Sequence, residues 1–331
     1  MPAARRRFDP VDHLLALDPG RRGIAAFFQP GGALRAARAL ARARTVLVVT
    51  GFIVADGMPE TDGPPGAAVL GRALRQLGAR VRYTTDAATL PTLAAALKAL
   101  GEPADAFAYP DGAQAAREVL ARERPTHLVS IERPGRGRGG DYLNMRGVSV
   151  AGWNRPLDEM FLLARSRTVR TGVSEPRPFS TERTRVSEPR PSQTRPPSVR
   201  AGQAPLATIA IGDGGNEIGM GNVRGVLTRQ GTLMARIASV VRVDHLVVAG
   251  VSNWGAYGIV AQLGRLTGRP LLHTPADERR LIEACVDAGA VDGITRRRER
   301  TVDALDADTH AAIVALLGLS WGDPAPRGER R

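Results

Sequence analysis

Apolar runs alternate with amphipathic stretches along most of the chain. Runs of β-branched and aliphatic residues predict strands at residues 45–52, 80–85, 105–109, 126–131, 207–211 and 244–250. Patterns with helical spacing predict helices at residues 64–78, 88–100, 112–123, 255–267, 277–288 and 308–317. Strands this apolar, separated by helices, are typical of a mostly parallel sheet that is covered on both faces. We therefore predict a three-layer α/β/α fold, whose strand order the sequence leaves open.

The segment 166–205 departs from this alternation. It is rich in Pro, Ser, Thr and Arg, and it contains the phrase VSEPRP twice, at residues 173–178 and 186–191. A segment with so few large apolar side chains cannot offset the entropy of ordering by burying surface. We expect a disordered, low-complexity insertion within a single domain that occupies residues 1–331.

Composition argues against several classes of protein. The net charge of +13 comes almost entirely from Arg, and aromatic residues make up only 4% of the chain, so we interpret the charge as a compositional bias rather than a nucleic-acid-binding surface. Cys285 is the one cysteine, which excludes an internal disulfide and a cysteine-based zinc site. No apolar run approaches the roughly 20 residues of a membrane span, and no secretory signal follows the basic start. We expect a cytoplasmic protein without nucleic-acid or membrane partners, and we leave homo-oligomer formation open.

Polar, glycine-containing motifs follow the predicted strands. The clearest is GDGGNEIGMGN (212–222), and the others are ETDGPPG (60–66), SIERPGR (130–136), YLNMRG (142–147) and GVSNWGAYG (250–258). Because the carboxyl ends of parallel strands meet at one edge of a sheet, these motifs predict a single polar site there. Carboxylate and amide oxygens on glycine-rich backbone suit Mg²⁺, Mn²⁺ or Ca²⁺, so we expect a divalent metal. The glycine spacing matches neither a P-loop nor a dinucleotide fingerprint in its required context, so we expect no nucleotide cofactor.

Two of these motifs have two interpretations each. The helix after ETDGPPG begins with two prolines, and its first N–H groups suit an anion; alternatively, Asp62 is only an N-cap residue of that helix. Arg133 either binds a substrate carboxylate in bidentate fashion or forms an ion pair within the protein.

With these motifs assembled, the chain resembles the D-glutamate cyclase family. The matching phrases are VTGF…ETDGPPGA, SIERPGR…YLNMRG, GDGGNEIGMGNV, VAGVSNWGAYG and AVDGITRRRERTVDAL, in family order between about residues 10 and 317. The resemblance implies a hydro-lyase that converts D-glutamate to 5-oxo-D-proline with loss of water, with Mn²⁺ or Mg²⁺ as the expected metal. We expect the cyclase domain alone, without the further domain that precedes it in the animal relative, and the insertion at 166–205 is foreign to the family pattern.

For that reaction, the substrate amine attacks its own side-chain carboxyl carbon, and the motifs supply candidates for each task. Candidate acids and bases in catalysis are Glu60, Glu132, Asp213 and Glu217. Candidate metal ligands are Asp62, Asp213 and Glu217. Candidate substrate contacts, including the amides of residues 64–66, are Thr61, Gly66, Arg133, Asn144, Arg146, Asn216, Ser252 and Asn253. Two other classes of function stay open: a metal-dependent phosphatase or other small-molecule hydrolase with the same pocket, and a non-catalytic amino-acid or metal-binding protein.

Overall fold

A computed structural model describes residues 9–171 and 206–320. Most of the predicted insertion, residues 172–205, lies outside the described residues, so its expected disorder stays a prediction. Its first six residues, 166–171, are helical, because a helix that begins at Glu159 runs on to Thr171. The predicted start of the insertion was therefore too early.

Six parallel strands form the central sheet, which confirms the predicted fold class. The strands are β1 (Thr45–Thr50), β2 (Arg80–Thr85), β3 (Ala106–Ala108), β4 (His127–Ile131), β5 (Ala207–Gly212) and β6 (His245–Val248). Their order is β3-β2-β1-β4-β5-β6, the order of a doubly wound sheet. The strand order reverses between β1 and β4, and the connections of the two halves leave a crevice at the carboxyl edge there. A small antiparallel hairpin, β7 (Thr301–Val302) and β8 (Leu305–Asp306), lies outside this sheet.

Helices cover both faces of the sheet. They are α1 (Pro10–Leu15), α2 (Gly32–Leu40), α3 (Pro64–Gln76), α4 (Leu90–Ala99), α5 (Ala115–Glu123), α6 (Glu159–Thr171), α7 (Arg224–Leu227), α8 (Thr232–Ile237), α9 (Ser252–Thr267), α10 (Pro275–Asp287) and α11 (Ala307–Leu319). Side chains of β1 alternate between two separate apolar cores, with Val46 and Val48 in one and Leu47 and Val49 in the other. The first core takes its helical side chains largely from α2, α3 and α9, and the second from α5 and α6. This is the predicted three-layer arrangement.

Close packing of α9 on the sheet brings its first turn to the carboxyl edge. Gly255 faces β5 so closely that a Cβ atom there would lie 2.5 Å from Cγ2 of Ile211. A larger residue would push the helix away from the strand, because no real Cβ atom tolerates that contact. Within residues 9–171 and 206–320, no helix combines the length and the apolarity that crossing a bilayer requires.

Candidate active site

Six carboxylate side chains converge at the carboxyl edge of the sheet. Their residues are Glu60, Asp62, Glu132, Asp213, Glu217 and Asp303, and each is at most 8% exposed. They come from the segments that follow β1, β4 and β5 and from the β7–β8 hairpin. We call this set the acidic pocket. Charged carboxylates are rarely buried without partners, so such a concentration calls for a compensating charge.

Carboxylate oxygens of the acidic pocket lie close enough to bind cations. Oxygen atoms of Asp62, Asp213 and Asp303 lie within 4.8 Å of one another, and so do oxygen atoms of Glu132, Asp213 and Glu217. Such oxygens are the ligands that Mg²⁺ and Mn²⁺ prefer. Asp213 belongs to both groups, whereas the predicted ligands Asp62 and Glu217 fall in different groups. The predicted ligands therefore lie in the acidic pocket, but the sequence did not resolve how they group, and their binding of a metal stays a prediction.

Glu217 explains why the loop after β5 contains so many glycines. Its two carboxylate oxygens accept hydrogen bonds from the backbone N–H groups of Gly214 and Gly215, each at 2.7 Å. A Cβ atom on Gly214 would lie 2.8 Å from Oε1 of Glu217. Glycine is therefore required for the backbone to wrap around this carboxylate. The wrapping fixes Glu217 in place and leaves its remaining lone pairs for a cation.

The first turns of α3 and α9 cap each other. Asp62 accepts hydrogen bonds from the N–H groups of Ser252 (2.9 Å) and Asn253 (2.8 Å), and Oδ1 of Asn253 accepts from Gly63 (3.0 Å) and Gly66 (2.8 Å). Asp62 is thus a capping residue, but it caps α9 rather than the helix that follows it.

This cross-capping contradicts the predicted anion site at the start of α3. Pro64 and Pro65 have no N–H group, and the N–H group of Gly66 is already bonded to Asn253. Asn253 and Gly66 therefore shape the pocket, and the amides of residues 64–66 offer nothing to a substrate carboxylate.

Burial raises the pKa values of several pocket carboxyl groups. For Glu60 and Glu132 the pKa lies well above its usual value, mainly because of burial and then because of a neighbouring carboxylate. Burial and Asp303 raise the pKa of Asp62 to about 7. Burial also raises the pKa of Asp213, although the guanidinium of Arg22 opposes that shift. These shifts favour the protonated forms of the groups, and a cation bound in the pocket would oppose them.

Glu132 and Ser252 meet directly in the pocket. The hydroxyl group of Ser252 donates to Oε2 of Glu132 at 2.5 Å. Glu132 itself adopts a φ of 42°, in the left-handed region that residues other than Gly and Asn rarely use. Because of this backbone conformation, the side chains of Glu132 and its neighbour Arg133 point to different places, and only that of Glu132 lies in the acidic pocket.

Arg133 lies away from the pocket and is fully buried. Its Nη1 donates to a carboxylate oxygen of Asp86 and to the carbonyl oxygen of Gly51 (2.9 Å), and its Nη2 donates to the carbonyl oxygen of Arg155 (2.6 Å). Arg133 therefore forms an ion pair within the protein, the second of its two interpretations, and its predicted substrate contact is wrong.

Arg22 supplies the positive charge that the sequence analysis missed. Its Nη1 donates to Oδ2 of Asp213 (2.6 Å), to Oδ2 of Asp303 (2.9 Å) and to the carbonyl oxygen of Gly250 (3.1 Å). Asp18 holds the Arg22 loop by accepting from the N–H groups of residues 22 and 23. No motif signalled Arg22, whereas Asp303 lies in a phrase, AVDGITRRRERTVDAL, that carried the family resemblance.

The other predicted substrate contacts have structural partners. Thr61 donates through its hydroxyl group to the carbonyl oxygen of Thr301 (2.8 Å), and Asn216 donates to the carbonyl oxygen of Leu143 (2.7 Å). Asn144 closes its own turn by accepting from the N–H group of Arg146 (2.9 Å), and Arg146 is exposed on that turn. Of the predicted contacts, the structure brings Ser252 into direct contact with a pocket carboxylate.

Comparison with known proteins supports a relationship over most of the chain. A family model described as "D-glutamate cyclase-like, C-terminal" matches residues 11–175 and 199–318. The unmatched residues 176–198 lie within the predicted insertion. The human protein named "D-glutamate cyclase, mitochondrial" is 30% identical over 277 residues, which are 79% of this chain and 39% of the human protein. The chain thus corresponds to about two fifths of that relative's length.

Proposed function

The chain belongs to the D-glutamate cyclase-like family, and from this premise we propose that it is a lyase that cyclises D-glutamate to 5-oxo-D-proline with loss of water. Membership of the family supports a cyclase-like lyase, and the acidic pocket is the observation that supports D-glutamate as its substrate. An amino acid with an ammonium group and two carboxylates needs a site that attracts the first and neutralises the others. The pocket offers carboxylates beside Arg22 and a set of oxygens suited to a cation.

The reaction defines what the residues must do. The substrate ammonium group loses two protons as its nitrogen bonds to the side-chain carboxyl carbon. One C–O bond of that carboxyl group breaks, and the freed oxygen leaves with both protons as water. The site must therefore move both protons from nitrogen to the departing oxygen and hold the two ends of the substrate together.

Glu60 is the carboxyl group best placed to move these protons. Its Oε1 is buried and has no hydrogen-bond partner within the described part of the chain. Burial and then Glu132 raise its pKa well above the usual value. A raised pKa favours the protonated form of Glu60, which gives its proton to the departing oxygen and takes one back from the substrate nitrogen; two such exchanges move both protons. The unpartnered oxygen is free to contact either atom.

The residues present fit a divalent metal ion. The group of Glu132, Asp213 and Glu217 would hold it, because Arg22 binds two members of the other group, Asp213 and Asp303, but of this group it binds Asp213 alone among the described residues. A bound Mn²⁺ or Mg²⁺ would supply positive charge for the carboxyl group under attack and for the pocket itself. Ser252 orients Glu132 through its 2.5 Å hydrogen bond.

The test is release of 5-oxoproline from D-glutamate and from L-glutamate, each with Mn²⁺, with Mg²⁺ and with EDTA. We expect release from the D-isomer, greatly reduced by EDTA and restored by the metal. Release that survives EDTA would keep the cyclase and remove the metal from it. No release from either isomer, with turnover of a phosphate ester, would contradict the proposal and favour a hydrolase. We place the activity in the cytoplasm as part of the same proposal, in keeping with a single buried, unpaired cysteine.

A further inference from the structure

We propose that Arg22 binds the α-carboxylate of the substrate and is the residue that selects for it. This inference rests on the proposed function, since it assigns one residue a role in binding D-glutamate. It concerns a residue that no sequence motif singled out, in the loop that follows α1.

The residues expected to hold a carboxylate are already engaged elsewhere. Arg133 is fully buried against Asp86, and the N–H group of Gly66 is bonded to Asn253. The side-chain amide group of Asn216 donates to a backbone carbonyl oxygen. The substrate nevertheless brings a carboxylate that keeps its charge throughout the reaction, into a pocket that is itself acidic. A fixed positive group beside the pocket is therefore required.

Arg22 has N–H groups to spare at that position. Nη1 makes all three of its hydrogen bonds to Asp213, Asp303 and the carbonyl oxygen of Gly250. Within residues 9–171 and 206–320, no hydrogen bond uses its Nε or Nη2, and 13% of the side chain remains exposed. One side of the guanidinium is thus anchored, while Nε and Nη2 have no hydrogen-bond partner among the described residues. The Nε–Nη2 edge has the fork geometry that binds a carboxylate through two parallel hydrogen bonds.

The α-carboxylate, rather than the reacting carboxyl group, suits this position. The carboxylates of Glu132, Asp213 and Glu217 would hold the cation that serves the reacting carboxyl group, which leaves the α-carboxylate for Arg22. The α-carboxylate has the same charge in substrate, transition state and product. Contact with Arg22 therefore strengthens binding uniformly, which predicts an effect on KM and little effect on kcat.

The test combines Arg22→Lys with a matched change in the substrate. Lysine keeps a cation between Asp213 and Asp303 but has no second N–H edge. The α-amide of D-glutamate keeps the amine and the side-chain carboxyl group but lacks the α-carboxylate charge. With D-glutamate, we expect Arg22→Lys to raise KM by about tenfold or more and to change kcat less than threefold, because charge-assisted hydrogen bonds are lost. For the wild-type protein, we expect KM for the α-amide to exceed KM for D-glutamate by a similar factor. With the α-amide as substrate, we expect Arg22→Lys to leave KM unchanged.

Arg21→Lys is the control, because Arg21 is exposed in the same loop. Equal KM values of the wild-type protein for D-glutamate and its α-amide would overturn the proposal without any variant. A KM increase in Arg22→Lys that is the same for both substrates would also overturn it, since Arg22 would then act only as a counter-ion. If Arg22→Lys does not fold, Arg22→Gln replaces it.

Calorimetric binding of D-glutamate and its α-amide separates this inference from the proposed function. Binding that depends on the α-carboxylate and on Arg22, without product release, would support the inference and contradict the cyclase. Release of 5-oxoproline with a KM that does not change in Arg22→Lys would support the cyclase and contradict the inference about Arg22. Absence of both binding and product release would overturn both.

Discussion

Two buried charged centres lie beside each other in the chain and differ in how their charges balance. Arg133 is matched by Asp86 and by backbone carbonyl oxygens, so its charge is neutralised within the protein. Glu132, its neighbour, faces the acidic pocket, where the carboxylates of the described residues outnumber the guanidinium groups that pair with them. Matched charge serves the fold, whereas unmatched buried charge is retained for a ligand.

The strongest test of this comparison removes Asp86. Asp86→Ala leaves the guanidinium of Arg133 buried and unpaired, so we expect a loss of about 3–5 kcal/mol in the free energy of unfolding. Chemical denaturation measures it, and kcat of the protein that remains folded should change less than threefold. The double variant Asp86→Ala/Arg133→Met is the control, and it should recover part of the loss because no lone charge remains. Unchanged stability of Asp86→Ala would contradict the structural role of the pair.

The matching test in the acidic pocket should affect activity rather than stability. Asp213 belongs to both carboxylate groups, so we expect Asp213→Asn to lower kcat/KM by at least about 100-fold and to weaken Mn²⁺ binding. Steady-state kinetics and calorimetry measure the two effects. Asp287→Asn, at an exposed position on α10, is the control and should leave both unchanged. Full activity of Asp213→Asn would rule out the proposed cation site.

Removal of the cation should make stability depend on pH. The pKa of Asp62 is about 7 in the folded protein, raised mainly by burial, whereas a carboxyl group in an unfolded chain has a pKa of about 4. Between these values the folded state binds more protons, so its stability falls as pH rises from about 4 through 7. In EDTA we expect Tm to be lower at pH 8 than at pH 5.5 by roughly 5 °C or more, and Mn²⁺ to reduce that difference. A Tm in EDTA that rises over this range would contradict the assignment.

The smallest expected effect is a gain in stability. Glu60→Gln removes a buried carboxyl group whose pKa is raised by burial and by other carboxylates. At pH 8 in EDTA we expect Tm to rise by roughly 2–4 °C, equivalent to about 1 kcal/mol, while kcat falls. At pH 5.5 the gain should shrink, since the raised pKa of Glu60 favours its uncharged form as the pH falls. A lower Tm at pH 8 would show that Glu60 serves the fold.

Apolar patterning predicted all six strands of the main sheet, because each contributes side chains to a buried core. It missed α2, whose buried face consists largely of Ala33, Ala36 and Ala37. Such small side chains add little to a hydrophobic pattern, yet they allow close packing. Apolar patterning also missed the whole of α6, and the last six residues of that helix were assigned to the insertion because their polar character resembles the segment that follows.

The sequence indicated the candidate site residues that directly follow strands. It did not indicate those whose position depends on other elements or on a single backbone angle. Glu60, Asp213 and Glu217 follow strands, so a parallel sheet brings them to one edge. Arg22 follows a short helix and Asp303 lies in a hairpin, so no strand end marked either one. The separation of Glu132 from Arg133 depends on one left-handed φ, which the residue type at position 132 does not indicate.

Cross-capping of α3 and α9 has a consequence for the order of folding events. Asp62 and Asn253 are separated by 191 positions, and the hydrogen bonds between their segments require the central strand β1 and the edge strand β6 to be in place. Closing a loop of that length costs entropy before these contacts form, so they belong to the slow, final stage of folding. A chain still emerging from the ribosome, with β1 to β5 already paired, would have no assembled pocket until α9 docked. The proposed active site would then form only in the step that completes the fold.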